Sequence, residues 1–168
     1  MTSTALSQDR DVAPPPHAPS KLGVPLAAVV ALVALALPRV IAHDLSAVAP
    51  GSPANSVLSL GPLVVWVVVA VLASRRAFST LVATGVGYGL VVGTVHNLAW
   101  STTWAGSPPR LAGSLAGAWS PATEEILLRG ASGLSSLATG AVIGIVAGAI
   151  AWAIQEVARR NGAHLPLR

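Results

Sequence analysis

The chain has 168 residues, 53% of them hydrophobic and 10% charged, where a typical soluble domain carries about 25% charged residues. That balance excludes an ordinary water-soluble domain and reads as a polytopic membrane protein. The formal net charge is +4, but the basic residues sit between apolar runs, so no nucleic-acid surface is expected; the absence of cysteine excludes disulfides, iron–sulfur clusters and thiol chemistry.

Residues 1–21, MTSTALSQDRDVAPPPHAPSK, are polar and Pro-rich, and are expected to form a disordered cytoplasmic tail that buries too little surface to offset its ordering entropy. The first apolar run, 24–42, is interrupted only by Pro38 and Arg39. Ala47-Val48-Ala49 downstream resembles a signal-peptidase site, but Pro50 follows directly and the preceding tail is long, so a retained helix is the favoured reading. The second run covers 57–73, the third 81–100 and the fourth 131–155. A spanning helix needs about 20 apolar residues, and lipid demands that backbone groups be satisfied internally. The expected fold is therefore all-α, a bundle of four transmembrane helices over 22–158 with a short interfacial helix before the fourth and a cytoplasmic tail from 159 to 168.

If all four runs span, Arg10, Lys21, Arg75, Arg76, Arg159, Arg160 and Arg168 fall on one side. Arg110 and Arg129 fall on the other, with Arg39 near that end of the first helix. The positive-inside rule then places both termini in the cytoplasm. Nine of the ten basic residues are arginine and alanine is abundant, a bias associated with high-GC bacterial genomes. The expected location is a bacterial cytoplasmic membrane.

Two glycine series stand out. Gly85, Gly89 and Gly93 recur every four residues in the third run, as do Gly140, Gly144 and Gly148 in the fourth. Each trio lies along one stripe of its helix. Glycine costs about 1 kcal/mol against alanine in a helix interior, so three in register imply a compensating close contact. The two helices pack on each other through these stripes, or one stripe joins a second copy or another membrane protein.

The polar residues of the expected outer face supply the site candidates. Asn97 continues the first glycine stripe and His96 flanks it. His43 and Asp44 close the first helix, with Arg39 one turn earlier on the same face. Ionisable groups at a membrane helix end are functional candidates. Histidine with carboxylates can take a divalent metal such as zinc, although no HExxH pair is present. The plainer alternative is a polar cap, with Arg39 paired to Asp44 or a lipid phosphate. No cofactor is firmly expected, and a divalent metal is the one these residues could take.

The stretch SPATEEILLRG, 120–130, has a complete structural account: Ser120 caps, Pro121 occupies the first helical position, and Arg129 pairs with Glu125 four residues earlier. It also resembles the first motif, Glu-Glu-x-x-x-Arg, of the CAAX protease and bacteriocin-processing family of intramembrane metalloproteases, matched by Glu124, Glu125 and Arg129. The resemblance implies a catalytic role for these three residues. It covers about seven residues, and the family's later histidine-bearing helices have no counterpart, since His164 is the one histidine after the motif.

The sequence thus points to a small integral membrane protein, an accessory or small-ligand-binding subunit with a polar cluster on its outer face. The alternative is a metal-dependent membrane hydrolase.

Overall fold

The computed structural model describes residues 22–44, 47–49 and 51–167, leaving aside the side chains of His43 and Asp44. The expected disordered tail, the terminal Arg168 and those two side chains lie outside the described residues. Among the described residues there are only helices: α1 (Leu26–Asp44), α2 (Pro53–Ala73), α3 (Ala77–Leu98), the short α4 (Trp100–Trp104) and α5 (Pro121–Arg160), with one 3-10 turn at Gly113–Leu115. Three of them, α2, α3 and α5, are long and apolar enough to cross a membrane, and α1 contributes a shorter apolar stretch, Leu26–Ala42.

Local chemistry sets the boundaries. α2 begins four residues before its apolar run because Ser52 Oγ accepts the Asn55 N–H at 3.2 Å and Pro53 follows at the first helical position. Ser120 does the same for α5, accepting from Thr123 N at 3.3 Å ahead of Pro121. Three residues, 74–76, turn α2 into α3. Ser74 Oγ holds this turn through Arg76 N at 3.0 Å and Thr80 Oγ1 at 2.7 Å, and Thr80 in turn donates to the Leu22 carbonyl. Gly23 sits beside this knot at φ 80°, and a Cβ there would lie 2.8 Å from the Arg76 nitrogen.

The separate interfacial helix expected before the fourth run does not exist. The capped segment at 121 runs without a break into the apolar run, giving one helix of 40 residues, about 60 Å long. No proline follows Pro121 within it, and Gly130 takes helical geometry. Arg129 bridges the would-be joint by pairing with Glu125 on its own helix and with α3. Helix three shifts the other way: it ends at Leu98, and Trp100 belongs to the separate turn α4.

α3 and α5 form the most extensive contact and run antiparallel. A Cβ on Gly89 would sit 2.6 Å from the Ser136 carbonyl, one on Gly144 2.6 Å from that of Leu81, and one on Gly148 3.0 Å from that of Phe78. A Cβ on Gly140 would come 2.7 Å from the Gly89 Cα, and Gly85 and Gly93 face Gly144 and Gly133. Both stripes are thus occupied within one chain. α1 pairs antiparallel with α2: Trp66 Nε1 donates to the Leu32 carbonyl at 2.7 Å, and Arg39 Nε donates to Ser59 Oγ at 2.5 Å. Gln155 of α5 donates to the Val71 and Ser74 carbonyls at 3.0 and 2.8 Å, satisfying acceptors that the end of α2 leaves open.

The interior is mainly hydrophobic, with Leu32, Val40, Trp66, Val71 and Leu81 among its buried side chains, but hydroxyls join them. The fully buried side chains include Ser74, Thr80 and Thr84 beside Trp66 and Leu81. Leu134 (69% exposed), Leu60, Val64, Val142 and Ile150 point outward. Hydroxyls buried among the core side chains, with many large aliphatic residues left facing outward, suit helices that pack in lipid, where association needs close fit rather than burial of oil from water.

Candidate functional site

The C-terminal halves of α1 and α3 meet α2 and the middle of α5 around a cavity of about 440 Å³. Its apolar floor is Trp66 and Tyr88, packed edge-on with ring centroids 5.8 Å apart and planes at 76°. Its wall is mainly apolar, with Leu58, Leu63, Val92 and Ile143, and is studded with polar groups: Arg39 from α1, Ser59 from α2, His96 from α3, and Ser135, Ser136 and Thr139 from α5. The pairing of Arg39 with Ser59 fixes the guanidinium on this wall, and Ser59 Oγ in turn donates a hydrogen bond to the Asn55 carbonyl at 2.7 Å. No carboxylate lines the cavity among the described residues. Pro62, also in the lining, has no N–H for the Leu58 carbonyl.

Asn97 and Arg129 make a second cluster between α3 and α5. Arg129 Nη1 donates to the Asn97 carbonyl at 3.0 Å, and its Nε donates to Glu125 Oε1 at 2.8 Å. The guanidinium carbon also lies 5.2 Å from the centre of the Trp100 ring, within reach of a cation–π attraction. The Asn97 amide donates to the Gly93 carbonyl at 2.9 Å and reaches the Arg129 carbonyl at 3.4 Å. These bonds join the end of α3 to the overhanging start of α5. Trp100 is buried in this cluster, whereas Trp104 and Trp119 are exposed.

Glu124 turns elsewhere. Its carboxylate accepts from the Leu111 backbone N–H and from Arg110 Nη1, the latter at 3.2 Å, pinning the loop between α4 and α5 onto the first turn of α5. Glu124 precedes the charge-free stretch of α5 that begins after Arg129. The Leu111 N–H holds its carboxyl below the ordinary carboxylate value; burial opposes this, and Arg110 adds to the lowering by hydrogen bond and charge.

The candidates thus fall into separate places. Arg39 and His96 share the cavity. Asn97, Glu125 and Arg129 share the latch between α3 and α5, and Glu124 lies under the loop. His43 and Asp44 end α1, but their side chains lie outside the described residues. Among the described residues no group of three His, Asp or Glu side chains could hold a metal ion. Sequence reasoning missed Ser59, Ser135, Ser136 and Thr139. The hydroxyls of α5 recur at three- and four-residue spacing, the signal of a polar stripe inside a run read only as charge-free.

Comparison with family models, with curated proteins and with solved structures finds no match to this chain.

Proposed function

We infer that the chain is an integral membrane protein that binds a small anionic ligand in the cavity between α1, α2, α3 and α5. The observation that carries this reading is the lining: an arginine, a histidine and four hydroxyls above an aromatic floor, with no carboxylate among the described lining residues. A guanidinium matches a carboxylate or phosphate in its planar fork, hydroxyls add adaptable donors, and Trp66 with Tyr88 would hold an apolar portion of the ligand. Concave sites with few polar groups on an apolar wall are the usual form of small-molecule sites.

In this reading all four long helices span, with both termini in the cytoplasm and the cavity open toward the opposite face. α1 has 19 residues, about 28 Å of helix, close to the hydrocarbon thickness of about 30 Å. Arg75, Arg76, Arg159 and Arg160 at the far end support that orientation through the positive-inside rule. A bacterial cytoplasmic membrane is the proposed location.

A metal-dependent hydrolase like the CAAX protease family is the lesser reading. It rests on Glu124, Glu125 and Arg129, which are engaged by Arg110 and Leu111, by Arg129, and by Asn97 and Glu125 respectively.

Thermal unfolding of the detergent-purified chain with benzoate against benzyl alcohol tests the binding reading. Both probes carry the ring for the aromatic floor, but only benzoate carries the anion. Benzoate should raise the Tm, and Arg39→Gln should abolish the rise. Equal shifts from the two probes would remove the anion site.

A further inference from the structure

At the opposite end of the helices from that cavity lies a second, polar pocket of about 460 Å³. Three segments build it. Arg75 comes from the turn between α2 and α3, Trp152, Gln155 and Arg159 from the last turns of α5, and His164 from the segment after α5. That last segment is folded back onto α2, where Leu167 N donates to the Leu72 carbonyl at 2.8 Å.

The charge here is one-sided. Arg75, Arg76, Arg159 and Arg160 stand at this end against one described carboxylate, Glu156, which is engaged by Arg159 and Arg160. Gln155 is spent on α2 carbonyls and so stiffens the pocket wall. Arg75 is exposed and lines the pocket from the side facing Arg159 and His164. Trp152, just inside the charged end of α5, is 56% exposed, the position in which an indole marks the boundary between acyl chains and headgroups.

We propose that this pocket is a phosphate-group site that takes the headgroup of an anionic phospholipid, with Arg75 and Arg159 on the phosphate and Trp152 against the glycerol and upper acyl chain. Bidentate arginine contacts suit phosphate oxygens, and basic pockets beside membrane helices recognise lipid headgroups. The lipid source is favoured over free phosphate because a half-exposed tryptophan borders the cations. The site does not depend on the ligand assigned to the first cavity.

Native mass spectrometry of the full chain released from a neutral detergent tests the assignment, because no charged bilayer is present to attract surface arginines generally. Phosphatidylglycerol should be retained in preference to phosphatidylcholine. Arg75→Gln should weaken that retention about tenfold, the size of one hydrogen bond to a charged group. Arg160→Gln removes the same charge at the same end, outside the pocket lining, and should weaken retention far less, even though Glu156 is then left to Arg159. Equal losses in the two variants, or no preference between the lipids, would overturn the site. Titration with inorganic phosphate alone distinguishes the sources: binding as tight as the lipid's would overturn the lipid assignment.

Discussion

Asn97 and Arg129 hold each other in both directions. The Arg129 guanidinium donates to the Asn97 backbone carbonyl at 3.0 Å, while the Asn97 side-chain amide reaches the Arg129 carbonyl at 3.4 Å. The guanidinium covers an acceptor at the end of α3 that has no helical partner, while the amide adds a second bond to a carbonyl inside α5. The two helices are therefore tied at the point where their glycine contact runs out, beyond Gly93 and Gly133.

Arg129→Gln should loosen this joint. It removes the bond to Asn97, the pair with Glu125 and the contact with the Trp100 ring. The expected loss is about 1–3 kcal/mol, in the range for hydrogen bonds to a charged group. Arg129→Lys keeps the charge but loses the planar fork, and should recover only part of it. Thermal unfolding in detergent ranks the three proteins, and a lysine variant as stable as wild type would show that charge alone matters.

Glycine substitutions should separate by position. Gly89→Ala drives a methyl to 2.6 Å from the Ser136 carbonyl of α5, whereas Gly61→Ala in α2 meets nothing within 4 Å. Overpacking at Gly89 is expected to cost about 1–3 kcal/mol. At Gly61 the alanine should stabilise by up to about 1 kcal/mol through helix propensity. The opposite signs can be read from a pair of unfolding curves; a shared sign would remove the close-contact account of α3 and α5.

Acid should release the loop above α5. The folded-state pKa of Glu124 lies below its ordinary value of 4.5. Its ionised form therefore favours the folded state at all pH above the ordinary value, and this contribution disappears as pH falls through the lower folded value. Glu124→Gln lacks the ionised form at every pH. The stability gap between wild type and this variant should be open at neutral pH and close progressively below pH 4.5. A gap independent of pH would place the effect of Glu124 in packing rather than charge.

Orientation can be read with reporters. An enzyme that matures only outside the cytoplasm should stay silent when fused after Arg168 and become active when inserted at Gly106, in the loop after α4. Activity from the first fusion would remove the four-span arrangement and with it the outward-facing cavity.

The sequence by itself determined the class of molecule and the chemistry at its helix ends. Long apolar runs leave the backbone no option but helix in lipid. Ser120 followed by Pro121 and the pairing of Glu125 with Arg129 are local features that neighbouring residues decide. Tertiary structure decided the rest. Local chemistry at 120–130 is equally compatible with a short helix and with the start of a long one; the structure shows one continuous α5, with the end of α3 alongside Arg129. The polar outer face read as one cluster because helix ends were all that spacing could place. Which side of each helix faces which neighbour is a rotation about the helix axis, set by packing across the chain. That rotation turns Arg39 and His96 into the cavity, Glu125 and Arg129 toward the joint with α3, and Glu124 under the loop. The hydroxyls at Ser59, Ser135, Ser136 and Thr139 acquire meaning only there: a serine in an apolar helix can satisfy itself on its own backbone, as Ser59 does by donating to the Asn55 carbonyl, and only a neighbouring helix can add a charge such as Arg39 beside its oxygen.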